Sequence, residues 1–187
     1  MGLIIKNKIA QLKKGYPTVS DKYNVQGGIN ESDVLHFGDL VTYGTATGHY
    51  KKMAAATDKL AGIVLATNVK LANKYPGDSN ASVETLKGEA FNLLVRGFVA
   101  VKVDSSAYKT AYDAYVATPN ATTKAALDTA KTAEIAKYTE GTEAGLALVD
   151  TEVVFTDDTT NPVEGAYFMG VVEFVGDEVI AEINYRM

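Results

Sequence analysis

Two histidines, His36 and His49, are the side chains best suited to metal binding or to proton transfer near neutral pH. They flank one predicted hairpin, so the fold could bring them close together. A metal site also needs further ligands in a cluster, and no third candidate stands at a suitable spacing. The sequence has no cysteine, which excludes thiolate zinc sites, iron–sulfur clusters, disulfides and cysteine nucleophiles. We therefore interpret both histidines as surface or edge-strand residues and predict no metal site.

The acidic segment with Asp157, Asp158 and Asn161 offers the oxygen ligands that calcium prefers. A calcium loop of the EF-hand type needs spaced acids, a glycine in its middle and a glutamate at its end, and this spacing is absent. Short polar side chains of this kind also cap turns by bonding to nearby backbone groups. We predict that these residues cap a turn.

The glycine-rich stretches lack the pattern of a nucleotide-binding loop. Gly27-Gly28 and residues 44–48 match neither a dinucleotide-binding turn nor a phosphate loop, and no Gly-x-Ser-x-Gly elbow occurs. A carboxylate pair for sugar hydrolysis stays open as an alternative, because such a pair is assembled by the fold rather than by spacing. Nothing singles out two such residues. We predict no catalytic residues, no cofactor and no enzymatic activity.

Strand-like segments account for much of the first half of the chain. Residues 36–43 and 49–53 predict a hairpin, and the apolar, β-branched residues 60–67 are typical of a strand buried on both faces. The longest run is GEAFNLLVRGFVAVKV, residues 88–103, whose odd-numbered side chains share one face. We expect this strand to bend at Gly97, because a glycine inside a strand usually marks a bulge, a bend or a close approach.

Strands return after an alanine-rich segment. Residues 147–155 and 167–175 have strand character, and Gly176-Asp177 is typical of a tight turn that leads into a last strand. The alanine-rich residues 105–138 instead predict two helices. Asn120 can cap the second of them.

Three tyrosines, Tyr108, Tyr112 and Tyr115, fall on one face of the first predicted helix. Two interpretations of this face stay open: contact with another protein, where tyrosine is favoured, or packing onto the protein's own sheet. The apolar residues of the second helix are mostly alanines. We therefore expect the helical hairpin to lie outside the main core.

These elements predict a mainly β fold, a β-sandwich or barrel with an inserted α-helical hairpin, which is α+β overall. Residues 36–104 and 140–187 would form a single β-domain, interrupted by the hairpin at 105–139. Residues 1–35, punctuated by glycine and proline, predict an extended N-terminal arm with one short strand, and a surface loop region with ordinary turns stays open as the alternative. A chain of 187 residues can bury a sufficient core without disulfides or a metal.

The charge and hydrophobicity of the chain exclude some partners. Its net charge is −5, whereas sequence-independent nucleic-acid binding requires an excess of basic surface. No segment approaches the ~20 apolar residues needed to span a bilayer, and the run from Leu3 to Ile5 is too short for a signal peptide. We expect a soluble protein that is made in the cytoplasm and has no nucleic-acid or membrane partner.

The order of the segments resembles that of the small capsid cement or decoration proteins of tailed bacteriophages. The similar segments are GDLV at 38–41, DKLAGIVLAT at 58–67, GEAFNLLVRGFVAVKV at 88–103 and GVVEFVGDEVIAEINY at 170–185. Residues that correspond to the family pattern are Ala61, Gly62 and Ile63 in one strand, and Gly88, Val95, Gly97, Val99 and Val101 in the next. The helical hairpin departs from the resemblance, because many such proteins have only a short connection there.

The resemblance implies a compact β-domain without catalytic activity, usually a trimer, bound outside the head lattice at three-fold or quasi-three-fold positions. We accordingly expect an accessory capsid protein that binds the major capsid protein at capsomer junctions, forms a homotrimer and stabilises the head. It would be located on the capsid surface of the virion and made in the host cytoplasm.

Interface residues are expected in two places. For clamping by the arm we predict Leu3, Ile4, Ile5, Tyr16 and Tyr23, and for contacts between copies we predict Tyr108, Tyr112 and Tyr115. Two other functional classes stay open. One is another virion structural protein, from the tail tube, the head-completion complex or a fibre base, and the other is a carbohydrate-binding or adhesion β-domain.

Overall fold

The computed structural model describes residues 12, 14–18, 23–66 and 84–186, and these residues are mainly β. The strands are β1 (Asn24–Asn30), β2 (Val34–Leu35), β3 (Leu40–Tyr43), β4 (His49–Lys52), β5 (Leu60–Val64), β6 (Thr85–Leu86), β7 (Ala90–Lys102), β8 (Glu143–Val149), β9 (Glu152–Thr156), β10 (Pro162–Val175) and β11 (Glu178–Arg186). Helices α1 (Ser106–Ala117) and α2 (Ala121–Lys137) lie between β7 and β8. The predicted fold class, mainly β with an inserted helical hairpin, is confirmed.

Nine of these strands form one sheet, in the order β1-β4-β3-β5-β7-β11-β10-β8-β9. Because β1 pairs with both β4 and β7, the strands β1, β4, β3, β5 and β7 close into a small barrel. The remaining strands β11, β10, β8 and β9, which we call the second half, lead back until Phe155 of β9 forms a parallel bridge with Val103. The backbone N–H of Asp104 donates to the Phe155 carbonyl at 2.8 Å. Strand β7 is therefore a wall shared by the barrel and the second half.

The long strand β7 changes its partner near its middle. Residues 24–29 of β1 pair with residues 90–96, whereas β11 pairs with residues 96–102. Gly97 lies at this change and has a φ of 137°, which residues with a side chain rarely adopt. The glycine at which we predicted a bend thus marks the point where β7 passes from the barrel to the second half.

Both hairpins predicted from turn signals are present. Strand β3 pairs antiparallel with β4. Gly176-Asp177 joins β10 to β11 and leaves Val175 directly opposite Glu178. Gly176 has a φ of 61°, which a glycine adopts at little cost in a two-residue turn.

Two adjoining apolar clusters form the core. Strand β5 is buried along its whole length, as predicted, and contributes Ala61 and Val64 to the smaller cluster and Leu60 and Ile63 to the larger one. The smaller cluster consists of Leu35, Val41, Tyr50, Ala61, Val64, Phe91 and Leu93. The larger cluster joins the barrel to the second half and includes Leu94, Val99, Val101, Phe155, Phe168 and Ile183.

The helical hairpin packs onto the larger cluster. Tyr108 of α1 is only 2% exposed and Leu127 of α2 is 6% exposed, and both belong to that cluster. The expectation that the hairpin lies outside the main core is therefore wrong, because a few large side chains anchor it among the alanines. The predicted cap is present, since the Asn120 side chain accepts a hydrogen bond from the Thr123 N–H at 2.9 Å. Neither α1 nor α2 is long and apolar enough to cross a bilayer.

Part of the predicted arm, residues 1–35, is paired with the rest of the domain. Strands β1 and β2 lie within it and take part in sheets. Upstream of them, the Gly15 N–H donates to the carbonyl of Ala100 at 2.9 Å. Leu12 is buried against Ala100 and Ile180. The domain limits and the role of the arm stay a prediction.

Candidate functional site

A cleft of about 800 Å³ lies between the loop before β5 and the start of β10. Its charged lining residues are Asp58, Lys59, Glu164 and Arg186. Asp58 accepts hydrogen bonds from the backbone N–H groups of Ala54 and Ala55 at 3.1 Å and so closes its own turn. The ammonium group of Lys59 lies 5.8 Å from the ring centroid of Tyr43. These contacts fix the loop, and no histidine is found among the described residues of the wall.

Both histidines lie beside carboxylates of their own surroundings. His36 Nε2 is 3.5 Å from Glu84 Oε1, and its Nδ1 is 3.7 Å from Asp39 Oδ2. His49 Nδ1 is 3.1 Å from Glu31 Oε1. Across the described ranges, no group of three or more histidine and acidic side chains could hold a metal ion. The geometry thus places each histidine beside a carboxylate of the same local surroundings.

The acidic turn after β9 is capped as predicted. Asp158 Oδ1 accepts hydrogen bonds from the Thr160 hydroxyl at 2.6 Å and from the Thr160 N–H at 2.9 Å. These bonds favour the charged form and lower the pKa of Asp158. The side-chain oxygen is therefore used within the turn.

The Glu134 side chain of α2 is buried, with 1% of its surface exposed. Its Oε1 accepts a hydrogen bond from Lys137 Nζ at 3.1 Å, while Oε2 has no hydrogen-bond partner. Burial raises the pKa of Glu134 against the attraction of Lys137, and the negative charges of Asp104 and Asp157 add to the rise. All these neighbours belong to the contact between α2 and its own domain. We therefore assign this carboxyl group to packing rather than to chemistry.

A group of charged side chains joins β7, β9 and β11. Lys102 Nζ is 2.6 Å from Glu152 Oε2 and 3.3 Å from Glu178 Oε1, and Lys14 Nζ is 3.5 Å from the same Glu178 oxygen. Burial opposes the charge on Lys102 and on Glu152, but their mutual hydrogen bond and attraction outweigh it. The pKa of Lys102 is therefore raised and that of Glu152 is lowered. This network ties the segment before β1 to the sheet.

The residues predicted for clamping are only partly within the described chain. Leu3, Ile4 and Ile5 lie outside the described residues. Tyr16 is half-buried, and its ring meets the edge of Phe37 at a centroid distance of 6.3 Å. Tyr23 is 44% exposed. The clamp stays a prediction, and Tyr23 is the more accessible of the two described tyrosines.

The tyrosine face of α1 is turned toward its own core. The Tyr108 ring lies 4.8 Å from that of Phe174, and its hydroxyl donates to the Gly176 carbonyl at 2.8 Å. Tyr112 and Tyr115 are half-buried against the same cluster. Of the two interpretations, packing on the protein's own domain is the one that these contacts favour. Contact between copies stays a prediction, which only the exposed parts of Tyr112 and Tyr115 could serve.

Large apolar side chains are exposed on several elements. They are Tyr23 and Val25 at β1, Tyr43 on β3, Leu86 on β6, Val116 on α1, Ile135 on α2, Leu148 on β8, and Tyr167, Val171 and Val175 on β10. Single exposed apolar residues are ordinary on a protein surface. Apolar contacts with a partner would therefore be distributed over several elements, with β10 contributing most.

Two residues that the sequence did not single out as a site are brought together by the fold. Arg96 on β7 and Arg186 on β11 are directly opposite each other across the strand pair, and both line a cleft of about 370 Å³. They are the only arginines in the chain, and this was the one feature of the sequence that could have drawn attention to them. Their juxtaposition depends on strand register, which the sequence pattern does not define.

Comparisons with known proteins identify a related fold and a family for this chain. One chain in the solved structure titled "The capsid of Myoviridae Phage XM1" shares the fold, with a TM-score of 0.54 and 13% sequence identity over 94% of this chain and 90% of that chain. At this identity the likeness concerns the fold alone. No curated protein sequence matches the chain.

A family model described as structural cement protein (E217 gp24/Pam3 gp6) matches residues 6–184. The match includes the strands on which the predicted resemblance rested and also the helical hairpin. The resemblance inferred from the order of the strands is thereby confirmed. Because the match extends over nearly the whole sequence, the chain belongs to the family of phage structural cement proteins.

Proposed function

We propose that this protein is an accessory capsid protein of a tailed bacteriophage, which binds the lattice of the major capsid protein at capsomer junctions and stabilises the head. The family match over residues 6–184 carries the proposal, because the matched family is described as structural cement. On this proposal the protein is made in the host cytoplasm and is located on the capsid surface of the virion.

The closed strand arrangement supports a role in binding through preformed surfaces. The barrel closes through β1, and Val103 bridges to β9 at the far end of the second half. A closed arrangement leaves few unpaired strand edges. A rigid surface also loses little conformational entropy on binding, so more of the contact free energy stabilises the complex.

A homotrimer would multiply modest contacts. The exposed apolar side chains of one chain are spread over several elements, so each patch is small. Linked copies that engage several shell subunits at once gain about 10²- to 10⁴-fold in avidity over one contact. On this proposal Leu3, Ile4, Ile5 and the exposed Tyr23 would clamp a neighbour, since Leu12 and Gly15 between them are packed on their own sheet. Tyr112 and Tyr115 would contact another copy.

The proposal is tested with heads of the phage that encodes this chain, purified without the protein. Purified protein is added in increasing amounts, and bound protein is measured by co-sedimentation and located by electron microscopy. We expect saturable binding at a fixed number of copies per head. We also expect decorated heads to release their contents at a higher temperature than bare heads.

Heads that already carry the protein serve as the control, because their sites are filled and should accept no further copies. If bare heads bind no protein at any concentration tested, the proposal is wrong. Binding to bare and decorated heads in equal amounts would also contradict it, since that result indicates adsorption without defined sites.

A further inference from the structure

The two arginines of the chain form a cationic pair at one end of the strand pair β7–β11. The backbone register places Arg96 directly opposite Arg186. Side chains in this relation have Cβ atoms about 4.5–5.5 Å apart and share one face of the sheet. Two guanidinium groups are therefore presented to the same small volume.

Among the described residues, the lining of the smaller cleft, which both arginines share, contains no acid. The cleft of about 370 Å³ is lined, besides the arginines, by Tyr23, Asn24, Gly97, Phe98 and Asn184. Within the described ranges, neither guanidinium forms an ion pair, whereas Lys14 and Lys102 on the same side of the sheet are paired with glutamates. The two arginines therefore form a local positive patch on a chain whose net charge is −5.

One of the guanidinium groups is held in position by a buried amide. Asn184 is only 7% exposed, and with its oxygen turned toward Arg186 it accepts hydrogen bonds from Nη2 at 3.1 Å and from Nε at 3.3 Å. A guanidinium group has five N–H donors in a rigid plane. Within the part of the chain that the structure describes, several donors of Arg186 and all those of Arg96 have no hydrogen-bond partner. These donors are available to a ligand.

Like charges directly opposite each other in a sheet are unfavourable for folding. A sequence that breaks such a local rule commonly does so at a functional site. An anion placed between Arg96 and Arg186 would relieve it, because each guanidinium group could donate two parallel hydrogen bonds to a carboxylate.

We propose that Arg96 and Arg186 form a clamp for a carboxylate of a partner protein, and that this partner is an acidic side chain exposed on the capsid shell. This inference rests on the proposed function. A carboxylate fits better than a nucleic-acid phosphate, because a polyanion would be repelled by the acidic remainder of the chain. The neighbouring exposed ring of Tyr23 adds apolar area beside the charged contact.

The test compares binding of bare heads by the wild-type protein and by the double variant Arg96→Gln/Arg186→Gln. Hydrogen bonds to charged groups are strong, so we expect the double variant to bind about 10- to 100-fold more weakly per copy. The matched control is Lys51→Gln/Lys87→Gln, which removes two exposed cations of the barrel side without a described ion pair. This control should bind like the wild type.

A second arm identifies the ligand on the shell. Surface carboxylates of bare heads are converted to neutral amides with a carbodiimide and methylamine. The wild-type protein should then bind only as weakly as the double variant, and the double variant should change little. The variant Arg96→Lys/Arg186→Lys should recover part of the binding, because lysine keeps the charge but not the paired donors.

Each outcome decides between the two proposals. If the wild-type protein binds heads and the double arginine variant binds equally well, the clamp is wrong and the capsid role stands. The clamp is also wrong if the control variant Lys51→Gln/Lys87→Gln loses as much affinity as the double arginine variant. It is wrong, too, if amidation of the heads leaves binding of the wild-type protein unchanged. If the wild-type protein does not bind heads at all, both proposals fall. The double arginine variant should melt no lower than the wild type, which excludes misfolding as the cause of weaker binding.

Discussion

The buried carboxyl group of Glu134 is expected to make the stability of the protein depend on pH. Its Oε1 is bonded to Lys137, but its Oε2 is buried without a partner. An unsatisfied buried acceptor costs free energy, and more so when it is charged. Burial and the charges of Asp104 and Asp157 therefore hold the pKa of Glu134 above its ordinary value of 4.5. The hydroxyl of Tyr138, which donates to the Asp104 carbonyl, lies in the same region.

We predict that Glu134→Gln stabilises the protein at pH 8, on the order of 1 kcal/mol, because the amide removes the buried charge and keeps the volume. Between pH 4.5 and the raised folded-state pKa, the folded chain binds more protons than the unfolded chain. Wild-type stability therefore falls as the pH rises through this window. The gain from the substitution should shrink as the pH is lowered toward 4. Urea unfolding of both proteins at several pH values measures this difference in the free energy of unfolding.

Glu140→Gln is the matched control, because Glu140 is exposed just after α2. This substitution should leave the pH profile of stability close to that of the wild type. If Glu134→Gln is destabilising at every pH, then the bond to Lys137 outweighs the buried charge, and the assignment of Glu134 as an unfavourable group is wrong.

At the residue scale, the sequence predicts contacts between residues close in the chain better than it predicts which residues are buried. The cap at Asn120 was predicted from its place before the second helix, and it is present. Glu134 and Lys137 are three residues apart on that helix, a spacing that permits the ion pair observed between them. The burial of Glu134 did not follow, because the pair alone is typical of a solvent-exposed helix face. The position of Arg96 opposite Arg186 could not be predicted from the sequence, since it depends on the register of two strands far apart in the chain.

At the scale of the strands, Gly62 explains why β5 and β7 approach so closely. A Cβ atom at Gly62 would lie 2.2 Å from Leu93 Cδ1 and 2.6 Å from the Leu94 carbonyl oxygen. This glycine belongs to the Ala-Gly-Ile segment on which the resemblance to cement proteins rested. Its physical role is to let one barrel strand lie against the main chain of the next.

We predict that Gly62→Ala destabilises the protein by about 1–3 kcal/mol, because the added methyl group has no space in the barrel wall. Thermal unfolding followed by circular dichroism measures the effect. Gly27→Ala is the matched control, since a Cβ atom at Gly27 meets nothing within 4 Å. Equal melting temperatures for Gly62→Ala and the wild type would contradict the close approach of β5 to β7.

The existence and type of most helices and strands could be predicted from the sequence, but the closure of the strands into a barrel could not. Alternation was sufficient for β7, a continuous apolar run for β5, and the turn residues for the hairpin at Gly176-Asp177. Strand β1, NVQGGIN, lacks alternation, so it was assigned to an arm, although it closes the barrel by pairing on both sides. The packing of α1 and α2 was also missed, because a few anchors such as Tyr108 outweigh many alanines.

At the scale of the whole molecule, the exposed apolar side chains are spread over several elements rather than gathered in one patch. Apolar side chains are exposed on both helices and on strands of both halves. The family match assigns the chain to structural cement proteins, and the order of the strands was sufficient to identify that family. Which surface faces the shell could not be predicted, because surface contacts leave little periodic signal in a sequence.

We predict that the free protein is a homotrimer, with a native mass three times the 19.9 kDa of one chain. Copies related by a closed symmetry can bury the same patch repeatedly, which stabilises a ring without open ends. Native mass spectrometry at micromolar concentration measures the oligomer. A monomer or a dimer at that concentration would contradict the trimer and leave the family assignment intact.

The shared strand β7 also determines how the molecule responds to stress. One uninterrupted backbone runs through the barrel and then through the second half, so a pull on either part travels along peptide bonds rather than through side-chain contacts alone. Peeling away one part would strip hydrogen bonds from the strand on which the other depends. We therefore expect the barrel and the second half to resist force together and to unfold together.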